Sequence, residues 1–374
     1  MNSAELGRLL DTVFAPQESD HGIALLVDLP DEARPDHPAW RRRRELADEW
    51  HRELKVVARE RSLGPVSLFR FPNVRGNNAD LPESARRSDS EGQDGPSESF
   101  ETIFKTHSLF IAMTEFSATA PMKLAARRFG FRAATMPGFS EAMIPALRLD
   151  FVEIDQRCAA LKARLDVADA AELIFEVEGT HHTLCLDLRH REATSSSGRL
   201  VQAGIAGNLP SGETYIVPYE GERDGDCSRT TGTMPLELDG ELIYYRFERN
   251  QVVEVVGDGP VAAAERRHLD AEPGYRNLAE LGLGVLGDYG IQPIGEILLD
   301  EKLGLHLALG RSDHFGGATG VESFSAPDKV VHIDRVYLPE LQPRVRVRRV
   351  TLSREDPTVE RILEDLLMQD GGYV

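Results

Sequence analysis

"GIALLVDLP", residues 22–30, is a short run of mostly branched apolar residues closed by proline, the composition of a buried strand. The segments after it decide which sheet it enters. "HPAWRRRRELADEWHRELKVVARER" (37–61) sets Trp40, Leu46, Trp50, Leu54 and Val57 at steps of six, four, four and three, which is one face of a long helix. "PVSLFRF" (65–71) then reads as a second strand. Strand, long helix, strand is the beta-alpha-beta signature of a parallel sheet. Further along, "HSLFIAMT" (107–114) resumes a strand, and "PMKLAARRFGFRAATMPG" (121–138) gives a short helix, a return strand and a turn. A helix over 140–166, kinked at Pro145, closes the group. Between these, residues 76–100 are dominated by Asn, Asp, Ser, Glu, Gly and Pro, with too little apolar surface to offset the entropy of ordering. They are expected to form a flexible loop or lid.

From about residue 171 the pattern changes to period-two alternation, in "ELIFEVEG", "HTLCLDLRHR", "ELIYYRFERNQVVEVVG", "KVVHIDRVYL" and "RVRVRRVTL". Helices are few here, over 259–274 and 356–370. The expected fold class is therefore α/β in two domains: an N-terminal beta-alpha-beta domain over 1–170, and a strand-rich C-terminal metal-binding domain over 171–374. Length agrees, because 374 residues exceed what one hydrophobic core usually sustains.

Sixty-two acids against 43 bases leave a net charge of -19, a field that repels phosphate backbones and anionic lipid surfaces. Arg41–Arg44 lie in an acid-containing helix and Arg344–Arg349 alternate with valine, so both read as solvated faces. No nucleic-acid or membrane partner is expected. Three cysteines do not make a disulfide framework, no apolar stretch reaches the ~18 residues of a membrane span, and "MNSAELGRLLDTVF" is too polar for a signal peptide. The expected location is cytoplasmic.

The residues able to carry chemistry gather in the second half. His332 and Asp334 in "VHIDRVY" point to one face of a strand, close enough to converge on a cation, although such a pair also arises on solvent-facing strands. Glu301 and His306 in "DEKLGLHLALG" fit neither one helix face nor one strand face, so a turn at Gly304 is needed to bring them together. His306 opens an apolar run, where it is either a ligand or a core histidine bonded to a carbonyl. Glu213 follows a Pro-Ser-Gly turn, and Glu280 interrupts a Leu/Gly run. Each is a strand-edge surface acid or a ligand whose burial a metal compensates.

Taken in order, "GNLPSGETYIVP", "NLAELGLG", "DEKLGLHLALG" and "HID" resemble the C-terminal domain of the aminopeptidase T type of leucyl aminopeptidases, the thermophilic metalloprotease superfamily. The resemblance covers about residues 205–337; the N-terminal half adds only "ATMPG" (134–138). It implies Glu213, Glu280, Glu301, His306, His332 and Asp334 as ligands of two divalent metal ions (Zn, Co or Mn), and a homodimer. The wording of the motifs lies near a branch containing 2,5-dihydroxypyridine dioxygenase-like proteins, which hold one Fe(II) and have histidine at the position of Glu280. Glu280 leans the reading toward two metals. Where the peptidases carry a tyrosine after "LALG", this chain has "RSDHFGG", offering Asp313 and His314 instead; His314 is either a group that polarises a carbonyl or shuttles a proton, or an idle histidine beside a Gly-Gly turn. Glu280 and His314 are thus the expected catalytic pair. The leading expectation is an aminopeptidase-like hydrolase of a peptide or amide bond. Its rivals are a mononuclear Fe(II) ring-cleaving dioxygenase acting on a small molecule and a non-catalytic peptide-binding relative.

Overall fold

The computed structural model describes residues 1–88, 94–354, 364–366, 368–369 and 372–373. It has two compact units, Met1–Asp155 with Ser196–Ser211 and Gln156–Ser195 with Gly212–Val374. No helix among the described residues is long and apolar enough to cross a membrane.

In the first unit the strand Ile23–Leu29 lies at the centre of a seven-stranded sheet, between Val66–Pro72 and Leu109–Ala112 and parallel to both. Arg132–Thr135 and Ala206–Asn208 extend the parallel part on one side. The helix Pro38–Arg61 makes the crossover. His37 caps it by accepting from the Trp40 N–H, Pro38 occupies its first turn, and Ser62 ends it with a left-handed φ of 57°. Trp40, Leu46, Trp50, Leu54 and Val57 are all buried, so the steps read in the sequence do mark the packed face. A phenylalanine-rich core including Phe69, Phe71, Phe100, Phe104, Phe110 and Phe131 forms within the same unit.

Two segments differ from expectation. Within 76–100, Ser84–Ser88 and Asp94–Ser99 form an antiparallel hairpin on the edge strand Val66–Pro72 instead of an irregular loop. Backbone pairing supplies the bonds that the polar side chains could not predict. Arg87 also lies over the Phe69 ring at 5.4 Å and bonds Glu98 at 2.7 Å. The helix expected over 140–166 is broken. Pro145 sits in the first turn of a one-turn helix, Ile144–Leu147, and a new helix, Phe151–Leu165, starts where the Asp150 carboxylate accepts from the Val152 N–H at 2.9 Å.

Besides the short pair Met368–Gln369 and Gly372–Tyr373, the described residues of the second unit form two larger antiparallel sheets. One has seven strands, running in space as Gln251–Val256, Glu241–Glu248, Thr231–Leu238, Thr180–Asp187, Ala170–Val177, Val345–Ser353 and Glu364–Leu366. In the other, Glu213–Ile216, Leu278–Gly284, Leu305–Gly310 and His332–Val336 lie side by side. The helix Pro260–Ala271 is present. Of the helix expected over 356–370, residues 356–363, 367 and 370 lie outside the described residues, and Glu364–Leu366 pairs as a strand.

Asp28 ties the central strand of the first unit to its surroundings. Its buried carboxylate accepts from Trp40 Nε1 at 2.9 Å and from the Glu115 N–H at 2.9 Å. Asp28→Ala leaves these donors unpaired and should lower stability by ~1–3 kcal/mol in urea unfolding. An unchanged midpoint would show that the carboxylate does not hold the helix to the strand.

Candidate metal centre

Cross-strand register puts the site together. Gly282 lies opposite both Tyr215 and His306, Ala308 opposite both Glu280 and Asp334, and Gly310 opposite His332. Because side chains alternate, Glu213, Glu280, His306, His332 and Asp334 share one face of the four strands with Gly282, Gly284, Ala308 and Gly310. The leucines between them, Leu281, Leu283, Leu305, Leu307 and Leu309, fall on the other face and are buried. The small residues make room for the chemistry. A Cβ on Gly282 would overlap the His306 imidazole, and one on Gly284 would overlap the backbone of Lys302. Glu301 arrives separately, from the 3-10 turn Glu301–Leu303 ahead of Gly304, close to where the sequence demanded a turn.

His306 Nε2 stands 3.3 Å from Glu280 Oε1 and 3.5 Å from Glu213 Oε2, while His332 Nε2 stands 3.0 Å from Glu280 Oε2 and 3.6 Å from Asp334 Oδ1. Two donor groups result, Glu213/Glu280/His306 and Glu280/His332/Asp334, each with ligand atoms within 4.8 Å of one another, and Glu280 belongs to both. Five of the six expected ligands are therefore brought together. Glu301 belongs to neither group; its carboxylate closes on the ammonium of Lys302. Lys302 Nζ also lies 2.6 Å from Glu213 Oε1, and its side chain is only 2% exposed.

The donor set fits a divalent ion. Glu213 Oε2 is buried without a hydrogen-bond partner, a costly state for a carboxylate oxygen unless a cation faces it. His332 Nδ1 donates to the Arg311 carbonyl at 2.8 Å, which turns Nε2 toward Glu280 and Asp334. Metal-ligating histidines are commonly fixed in this way. Carboxylates with imidazoles suit Zn, Mn or Fe.

The charges perturb one another strongly. Burial would raise the Glu280 carboxyl, but the imidazoles of His306 and His332 outweigh it and hold the group well below the usual range. Burial pushes Glu301 up to about 8, opposed by Lys302 and reinforced by the charges of Asp334 and Glu213. His306 is raised to about 9 and His332 well above its ordinary value; for both, burial works the other way and the neighbouring carboxylates prevail. His314 is pushed down to about 4, by burial first and then by His332 and Arg311.

His314 lies on a loop beside the donors. Its ring is 5.4 Å from that of His332 and 3.9 Å from Phe315, and Phe315 in turn meets Tyr215 at 4.6 Å. The loop is anchored by Glu220, whose carboxylate accepts from Ser312 Oγ and from the backbone N–H groups of Ala318 and Thr319. Sequence reasoning missed Lys302, Gly282 and Glu220. Only Gly282 left a signal, since glycine alternating with leucine in "ELGLG" marks a face needing space.

Fold and donor set together define a two-unit α/β protein with a buried cluster of carboxylates and imidazoles, a candidate metal site, on an antiparallel sheet. The model of the thermophilic metalloprotease (M29) family matches residues 148–328, a span that contains Glu213, Glu280, Glu301 and His306. Among solved structures, 2,5-dihydroxypyridine dioxygenase from Pseudomonas putida KT2440 matches with a TM-score of 0.59 at 14% identity, over 100% of this chain and 98% of that one. Wild-type AmpT from Thermus thermophilus matches with a TM-score of 0.55 at 17% identity, over 100% of this chain and 99% of that one. At such identities the likeness is one of fold. No curated protein matches the chain. The family model that matches is that of the thermophilic metalloproteases, the family the four motifs resemble, and the two solved structures share the fold.

Gly282→Ala tests the space argument. The added methyl must displace His306, so the variant should fold with a loss of ~1–3 kcal/mol and bind Zn(II) or Mn(II) at least about tenfold more weakly in calorimetry. Unchanged affinity would mean that displacing His306 does not disturb Glu280, the acid shared by both donor groups.

Proposed function

We propose that the chain is a metal-dependent hydrolase of aminopeptidase type, cleaving a peptide or amide bond at a free amino end. The observation that carries this reading is the sharing of Glu280 by two donor groups on one sheet face. Bound there, a divalent ion supplies the Lewis acidity that makes water a nucleophile near neutral pH. Glu280, kept as a carboxylate by its two imidazole partners, orients the attacking water and takes up its proton. His314 remains a neutral ring near neutral pH and hydrogen-bonds the carbonyl of the scissile bond, the part the superfamily's tyrosine would play. Excess carboxylate charge attracts the substrate's ammonium. Glu220 keeps the His314 loop in reach of the donors.

A second reading has its own support. Phe315 and His314 flank His332 at 5.3 and 5.4 Å, and a wall of rings beside metal donors also suits a flat aromatic substrate. That would favour an iron-dependent dioxygenase related in fold to the Pseudomonas putida enzyme.

Metal-stripped protein reloaded separately with Zn(II), Co(II), Mn(II) or Fe(II) separates the two. Release of N-terminal residues from a peptide library, read by mass spectrometry, is the expected result. Oxygen uptake with hydroxylated aromatic rings and Fe(II), in place of peptide cleavage, would overturn it. Glu280→Gln should lower the hydrolytic rate by about 10²–10⁴-fold; a variant of wild-type rate would remove Glu280 from the mechanism.

A further inference from the structure

Two donor groups invite two ions, yet a cation is already built in among them. Lys302 is a buried lysine whose ammonium bonds Glu213 Oε1 at 2.6 Å and closes on Glu301 Oε1. Both carboxylates were expected from the superfamily resemblance to bind metal. Here each spends an oxygen on an amine from the chain itself. The lysine is also held at its backbone. The strand bearing Glu280 passes so closely that a Cβ on Gly284 would overlap the Lys302 carbonyl carbon, and Gly284 N–H donates to the Gly304 carbonyl at 2.9 Å. With a side chain only 2% exposed, the ammonium has no solvent to swing into.

An ion bound by Glu213, Glu280 and His306 would sit beside this ammonium, competing with it for Glu213 and repelled by it across a dry interior. The other group, Glu280, His332 and Asp334, has no lysine in contact: among the described residues its ion pairs are with one another and with His306. Its histidine is the one whose Nδ1 is firmly bonded to a carbonyl, at 2.8 Å against 3.4 Å for His306 and Gly304.

We propose that the Lys302 ammonium takes the place of one of the two cations, so that the chain holds a single divalent ion at Glu280, His332 and Asp334. The proposal rests on the reading of the site as a metal centre, and concerns how many ions it takes and where.

Metal-stripped full-length protein is reloaded with excess Zn(II) or Mn(II), passed through buffer exchange and counted by native mass spectrometry. Wild type should carry one ion per chain. Glu301→Gln, which alters a partner of the ammonium, should still carry one, and Asp334→Asn should carry none. Lys302→Met should carry two, and its melting temperature should rise far more on metal addition than that of wild type. Two ions retained by wild type would overturn the proposal and leave the metal centre standing. No ion retained from either metal or from Fe(II) or Co(II) would remove the metal centre, and the proposal with it. If Lys302→Met does not fold, the counts for wild type and Glu301→Gln still decide, because loss of the ion in Glu301→Gln would make Glu301 a ligand and contradict the assignment.

Discussion

A carboxylate withdrawn from water must meet positive charge, and the second unit withdraws several together. Glu213 and Glu280 are 5% and 3% exposed, and the side chains of Glu301 and Asp334 are largely covered. Left unpaired, such groups would be expelled or would neutralise themselves. Glu301 is pushed in that direction, since burial raises it to about 8. Glu280 stays charged because His306 and His332 flank it, while Glu213 meets Lys302 and Asp334 meets His332. The arrangement therefore works as one charge-balanced set, in which removing any positive member disturbs every acid that faces it.

Space for that set comes from the opposite kind of residue. Gly282, Gly284, Ala308 and Gly310 alternate with leucines that fill the core behind the sheet. One strand thus performs two tasks with a period of two: its leucines bury apolar area, and its glycines leave a recess into which His306 folds. This explains why all seven residues of Leu278–Gly284 are buried although only half of its faces are apolar. The loop beyond Gly310 extends the same logic. Glu220 gathers Ser312 and two backbone N–H groups, fixing His314 and Phe315 against His332 without joining either donor group.

The first unit was largely legible because its signals are local. Apolar runs and the helical spacing of Trp40 to Val57 depend on neighbours in sequence, and both appear as read. Where longer-range pairing decides, the reading failed. Ser84–Ser88 and Asp94–Ser99 become strands because an edge offers them backbone bonds, and the break at Asp150 comes from a side-chain cap competing with helix continuation.

In the second unit the sequence by itself determined the strands, the one-face relation of His332 to Asp334, and which acids and histidines were candidates for the site, because period and residue type survive without coordinates. It could not determine which acids meet which cations. Lys302 follows Glu301 directly and reads as ordinary surface charge in "DEK", yet its second partner, Glu213, lies 89 residues earlier. Only the tertiary structure brings them into one dry recess. There a lysine stops being a solvated charge and becomes a fixed ion, because low dielectric and the lack of water leave it no partners except the carboxylates folded around it.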